Sequence, residues 1–198
     1  MDNELGSTHQ RILQQGLEIV SERGLAGITL GTLATRAGIS KSGLFAHFRS
    51  KEELQIELLR TAEAALKREV VTPAMQEPKG LPQLHLLIRR WLGWAARSGL
   101  PGGCPLYAAA FELDDAEGTA RDHLVQSKQT WSGLLENLTA EAVKLGHLKK
   151  DLDVAQFVWQ LEGIYLAHHV AERLMRDPEA DDRAHTAVEA LFATSLPE

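Results

Sequence analysis

Residues 29–51 read T-L-G-T-L-A-T-R-A-G-I-S-K-S-G-L-F-A-H-F-R-S-K, and their pattern decides the fold of the N-terminal third. Leu30, Leu33, Ala34 and Ala37 place small and branched apolar groups on one side of a helix that Thr29 caps. Gly38 makes a turn, and Ile39 plugs the angle between this helix and the next. Ser40 caps the second helix, which turns Lys41, Ser42 and Gly43 outward while Leu44 and Phe48 face the core. Two short helices around a glycine turn form a helix-turn-helix. The second helix, about two turns long, is short for packing but long enough to lay its N-terminal half in a DNA major groove. Its outward set, Lys41, Ser42, Gly43, Ala46 and His47, is small and hydrogen-bonding rather than acidic, which suits close approach to base edges. Thr29, Ser40 and the Ser50–Lys51 pair mark helix N-termini that can offer backbone amides to phosphate.

Upstream, Ile12, Leu13, Leu17, Ile19 and Val20 give a helix over 8–23 its apolar stripe, and Gly24 stops it. Downstream, S-K-E-E at 50–53 is a capping box in which Glu53 is expected to reach the Ser50 amide. The helix it opens runs through Leu54, Leu58, Leu59, Ala62 and Leu66, and Pro73 is expected to end it near residue 71. Residues 71–82, V-T-P-A-M-Q-E-P-K-G-L-P, carry three prolines and a glycine and make the clearest boundary in the chain. The expected domains are therefore a helix-turn-helix domain over 1–50, a connecting helix over 51–72 and a helical regulatory and dimerisation domain over 73–198. Helical spacing continues over 84–98, 106–115, 118–145, 154–175 and 182–193, and no period-2 run persists, so the fold class is all-α.

The net charge of −6 looks unsuited to nucleic acid until it is divided. Residues 1–72 hold 9 basic and 9 acidic side chains, whereas 73–198 hold 12 and 18, so the acidity lies outside the helix-turn-helix. Within 29–51 the charged residues are Arg36, Lys41, Arg49 and Lys51, all basic, and they form the expected phosphate-facing set. The sequence begins without the basic and apolar regions of a signal peptide, no apolar run is long enough to cross a bilayer, and a lone cysteine fits a reducing cytoplasm. A cytoplasmic protein without a membrane partner is the expectation.

The stretch G-L-A-G-I-T-L-G-T-L-A-T-R-A-G-I-S-K-S-G-L-F-A-H-F-R-S-K-E-E-L resembles the DNA-binding domain of TetR-type (tetracycline-repressor-like) transcriptional regulators. The resemblance is close over 8–55 and looser beyond. It implies a homodimer of all-α subunits whose N-terminal helices bind a palindromic double-stranded operator and whose body binds an inducer that releases it. By position, Thr29, Ser40, Lys41, Ser42, Gly43, Phe45, His47 and Lys51 match family sites that touch DNA. Phe45 departs from the family's frequent Tyr, exchanging a phosphate-bonding hydroxyl for apolar contact with a thymine methyl. Gly43 stands where Thr or Ala is usual, and Arg49 replaces a common Pro, adding a phosphate contact.

For the body, an apolar pocket with a few polar fixings is expected. The candidate lining is Trp91, Trp94, Tyr107, Phe111, Trp131, Trp159, Glu162, Tyr165 and His168, with His169 beside them; each aromatic reads equally as core, and His168 as a hydrogen-bonded core histidine. The helix over 154–175 is apolar nearly all round and must be covered on more than one side, by its own chain or by a second copy. Gly163, Leu166, Ala167, Val170 and Leu174, with Leu191, are the candidate dimer contacts.

His168 and Glu172 share a face but are only two potential ligands, so no metal or other cofactor is expected. The leading reading is a repressor released by a small, largely apolar or aromatic inducer. The alternatives are a DNA-binding regulator sensing oxidants through Cys104 or binding a protein partner, and a small all-α enzyme using Glu162, His168 and His169. Against the enzyme, the sequence has no activated nucleophile, phosphate loop or complete metal set.

Overall fold

Gly38 adopts the left-handed conformation at φ 67°, and its amide bonds back to the Ala34 and Thr35 carbonyls, so the chain turns sharply there. In the computed structural model, which describes residues 2–197, this turn joins α2 (Leu30–Ala37) to α3 (Lys41–Phe45), and α1 (Asp2–Arg23) packs on α2. Leu44 and Phe48, on either side of the end of α3, enter one apolar cluster with Ile12, Ile19, Val20, Ile28 and Leu33. Then follow α4 (Lys51–Leu66), a π-helical turn Lys67–Val71, α5 (Thr72–Ala74), α6 (Leu81–Trp91), α7 (Trp94–Arg97) and α8 (Pro105–Glu112). The chain ends with α9 (Thr119–Lys144), α10 (Val154–Val170), its π-helical extension Ala171–Met175, and α11 (Ala180–Ser195). There is no strand among the described residues, as the periodicity predicts. Met1 and Glu198, the outer ends of the expected first and last domains, lie outside the described residues.

Several boundaries differ from the sequence reading, each for a definite physical reason. Pro73 does not end the helix that begins at Lys51; the chain stays helical through Ala74. Proline cannot bond the carbonyl four residues back, which is that of Glu69. Here the Glu69 carbonyl accepts instead from Arg90 Nε, while the widened π turn carries the Thr72 amide to the Lys67 carbonyl. The expected helix over 84–98 is broken at Gly93, which lies at φ 67° between α6 and α7. Glu53 reaches the Arg49 amide at 2.6 Å rather than that of Ser50, while Ser50 Oγ accepts from the Glu53 amide at 3.0 Å.

The chain forms two compact units, Met1–Ala65 with Ala95–Ser127 and Leu66–Trp94 with Lys128–Glu198. Residues 95–127, which the sequence places with the regulatory body, thus pack with the helix-turn-helix. Ala109 of α8 is part of the cluster that seats Leu44, with Leu106, Leu113 and Leu124 packed against it. Glu112 accepts hydrogen bonds from the amides of Leu25 at 3.0 Å and Ala26 at 2.6 Å, in the turn that leads into α2. Gly24 in that turn is left-handed at φ 70°, and a Cβ there would lie inside the Glu112 carboxylate. Ser21 receives the amides of Gly102 on its hydroxyl at 3.1 Å and Gly103 on its carbonyl at 3.0 Å. The Thr119 amide donates to Glu52 Oε1 at 2.7 Å, and hydrogen bonds from the Thr119 side chain and amide hold the Glu52 carboxyl below its ordinary range. That contribution is complete above the usual carboxylate range and is lost as pH falls through the lowered folded value.

In the second unit α10 and α11 pack together, with Phe157, Val158, Leu161, Val188 and Phe192 buried. Asp153 caps α10 by accepting from the Gln156 amide at 3.0 Å.

Removing the Glu112 carboxylate should loosen the turn before α2. Glu112→Ala is expected to lower stability by about 1–2 kcal/mol, with Glu112→Gln, which keeps one acceptor oxygen, between it and wild type. Urea denaturation of the three proteins measures this; three coincident transitions would show that the Glu112 bonds contribute nothing.

Candidate functional site

The face that would meet DNA is built from the capped starts of three helices. Thr29 caps α2, its hydroxyl accepting from the Thr32 amide at 3.0 Å while Thr32 Oγ1 accepts from the Thr29 amide. Ser40 caps α3, accepting from the Gly43 amide at 3.0 Å, and its hydroxyl bonds that of Ser42. Thr29, Ser40, Lys41, Ser42, Phe45, Arg49 and Lys51 are exposed, with Phe45 at 55% the most conspicuous apolar side chain on α3. Gly43 is half-buried, and a Cβ on it would sit 3.2 Å from Ser40 Oγ, so the cap favours a minimal residue there. A Cβ on Gly31 would lie 3.8 Å from Lys41 Nζ, so the ammonium stands beside the first turn of α2, and helix terminus and cation together favour an anion.

Two candidates are placed differently from expectation. Arg36 turns onto α1, pairing with Glu18 at 2.9 Å and Glu22 at 3.8 Å, so its charge ties α1 to α2 instead of standing free for phosphate. His47 is half-buried against His9, 5.7 Å away between ring centres, and Phe48; His9 stacks on Phe48 and pairs with Glu57 at 2.7 Å. His47 thus lies at the margin of the face.

The body candidates separate into three groups. Trp91, Trp94, Trp131 and Tyr165 come together: Trp91 stacks on Tyr165 at 4.1 Å with an interplanar angle of 9°, and Trp131 is 4.9 Å from Trp91. Trp94 Nε1 donates to the Tyr165 hydroxyl at 3.0 Å. Beside them, Glu162 accepts from the Ser132 hydroxyl at 2.7 Å and pairs with Lys128 at 2.9 Å. Sequence reasoning missed Lys128 and Ser132, although with Trp131 they lie at helical spacing on one face of α9.

Tyr107 and Phe111 belong to the other unit, Tyr107 half-buried and Phe111 55% exposed. His168 is a core histidine: it is buried, its Nε2 donates to Asp181 Oδ1 at 2.6 Å, and its ring lies 6.4 Å from that of Tyr165. Burial, then Arg173 and His168, lower the His169 pKa and favour its neutral ring. Cys104 is buried at 4% exposure, whereas redox-sensing thiols are typically accessible. No group of three or more metal-binding side chains occurs among the described residues, and none of their helices is long and apolar enough to cross a membrane.

Trp159 falls in the third group. At 69% exposure it leaves the aromatic cluster and heads an apolar stripe with Gly163, Leu166, Ala167 and Val170, all exposed on α10, and Leu174, 76% exposed beyond it. Leu191 on α11 is half-buried.

Residues 12–58 match the family model for bacterial regulatory proteins of the tetR family, and residues 80–188 match the tetracyclin repressor-like C-terminal domain. The chain belongs to the TetR family. It is a transcriptional regulator with a helix-turn-helix and a helical C-terminal domain. Among curated TetR-like relatives, the transcriptional regulator AcuR of Cereibacter sphaeroides is 24% identical over 76% of this chain and 71% of its own length. The repressor DhaR of a Mycobacterium species is 23% identical over 72% and 71%. A TetR-family regulator from Cytophaga hutchinsonii shares the fold with a TM-score of 0.83 at 20% identity, covering 97% of this chain and 96% of that one. AibR in complex with isovaleryl coenzyme A and operator DNA superposes with a TM-score of 0.70 at 17% identity over 93% of this chain and 96% of that one.

For this TetR-family chain, Lys51→Ala is expected to weaken binding to every duplex and to lower the salt slope by about 1. Arg36→Ala should leave that slope unchanged. Fluorescence anisotropy with a labelled duplex at several salt concentrations separates them; equal losses of slope would place Arg36 on the phosphates.

Proposed function

We propose that the protein is a homodimeric repressor that binds palindromic operator DNA through α3 and is released by a small, largely apolar or aromatic inducer held in the second unit. The observation that carries this reading is α3 itself, a five-residue helix with Lys41, Ser42 and Phe45 exposed and no acidic side chain of its own. A helix this short contributes little to packing and is suited to entering a major groove.

Pairing is supported by the stripe on α10. Trp159, Leu166, Val170 and Leu174 expose apolar surface along one side of a helix whose opposite side is buried, and such patches mark association surfaces. A second copy laying the same stripe against it covers both at once across a two-fold axis. Gly163 has nothing within 4 Å of where a Cβ would stand, leaving room for a partner helix to come close. Two subunits then offer two reading helices, which compensates for the modest charge of each. The proteins AibR and FadR, solved with isovaleryl coenzyme A and stearoyl-CoA, support a small-molecule site in the body. Here the Trp91–Trp131–Tyr165 cluster marks the candidate region, and the protein is proposed to act in the cytoplasm.

Tryptophan-fluorescence titration of the operator complex with apolar and aromatic compounds tests the inducer: saturable quenching that accompanies DNA release is expected, whereas quenching with DNA retained would contradict it. For the dimer, Leu166→Glu is expected to give a monomer in sedimentation velocity and to weaken operator binding by about 100-fold, because the second half-site no longer binds intramolecularly. A variant that sediments as a dimer would place the interface elsewhere.

A further inference from the structure

Glu112 grips the turn before α2 with both of its carboxylate oxygens. Oε1 accepts from the Leu25 amide at 3.0 Å and Oε2 from the Ala26 amide at 2.6 Å, two consecutive backbone donors 87 and 86 residues away in sequence. An ionised carboxylate offers two acceptors in that arrangement, whereas a glutamine amide offers one and turns a donor toward the other N–H. The left-handed Gly24 leaves open the space that the carboxylate fills. Leu25 and Ile28 of the same turn, at 1% and 0% exposure, enter the cluster that seats Leu33 of α2 and Leu44 of α3. Thr29, the cap of α2, follows directly. The place of the turn therefore sets the place of α2 and α3.

Glu112 itself is exposed, so its carboxylate fills no part of the core. Its helix is anchored without it, through Ala109 in the cluster and Leu106 and Leu113 packed against it. The end of α1 is also held independently, by the Gly102 and Gly103 amides on Ser21. Losing the carboxylate frees the turn and leaves its neighbours docked.

We propose that Glu112 is a positioning residue for operator recognition: by fixing the Leu25 and Ala26 amides it holds α2 and α3 at the angle at which α3 meets base edges. This rests on the DNA-reading proposal above and assigns a residue of α8 to it. Contacts from Lys41, Arg49 and Lys51 to phosphate tolerate a small tilt, because these side chains are long and exposed. Contacts to base edges do not. Glu112 thus governs sequence preference more than overall affinity.

The test uses the full-length protein and two labelled duplexes of equal length: the sequence that wild type enriches most strongly from random DNA, and a scrambled version of it. Affinities are measured by fluorescence anisotropy at a temperature where circular dichroism shows the variants folded. Glu112→Ala is expected to bind the selected duplex about tenfold more weakly and the scrambled one within about twofold of wild type. Glu112→Gln should fall between, and it carries the same comparison if the alanine variant does not fold. A purely structural defect would lower binding to both duplexes in equal proportion. Gly24→Asn reaches the contact from the other side, since asparagine tolerates the left-handed conformation while its Cβ displaces the carboxylate. It should reproduce the loss of preference in wild type and add less than about twofold to Glu112→Ala. Equal losses on both duplexes, or full additivity of the two substitutions, would overturn the assignment. A wild-type preference that survives Glu112→Ala refutes the assignment alone; a wild-type protein that enriches no sequence refutes the DNA-reading proposal, and the assignment falls with it.

Discussion

Helix α3, proposed to read DNA, cannot hold itself. A helix of five residues is far below the length at which helices are stable in water, so the position of α3 is set from outside. Leu44 at 0% exposure and Phe48 at 1% pull it into the core, Ser40 fixes its first turn, and the left-handed Gly38 sets its angle to α2. This frees the outward residues, Lys41, Ser42 and Phe45, from any packing duty. The same constraint gives residues 95–127 their place. Ala109 completes the cluster around Leu44, and Glu112 holds the two amides of the turn that leads into α2. The helix proposed to meet DNA is thus seated by side chains more than 60 residues away in sequence.

Electrostatics follow the same local logic. The acidity of the chain lies outside the helix-turn-helix, and one basic residue of that stretch, Arg36, is balanced on the surface by Glu18 and Glu22. What remains for phosphate is a small set on a nearly neutral head. Modest charge per subunit makes pairing of two heads the natural source of affinity, and α10 has the apolar stripe such pairing requires.

Most of the architecture was legible in the sequence because it rests on periodicity and caps. The order of the long helices, the N-caps Thr29, Ser40 and Asp153, and the two-sided apolar character of α10 all follow from spacing alone. Long-range partners were not legible. Nothing near Pro73 reveals that Arg90 will take the Glu69 carbonyl, and nothing near Arg36 reveals that α1 turns two carboxylates toward it. Residue type carries no direction and so groups Trp159 with the aromatics, whereas its spacing to Gly163, Leu166 and Val170 sets it on the other face. His168 was readable only as far as its need for a partner, and Asp181 supplied it from the next helix.

The central claim is that two copies of this chain read DNA together through α3. Selection of the purified protein on random-sequence duplexes tests it most directly. The account predicts enrichment of an inverted repeat whose half-sites lie about one helical turn or a little more apart. Enrichment of a single unpaired half-site, or no enrichment at all, would contradict it.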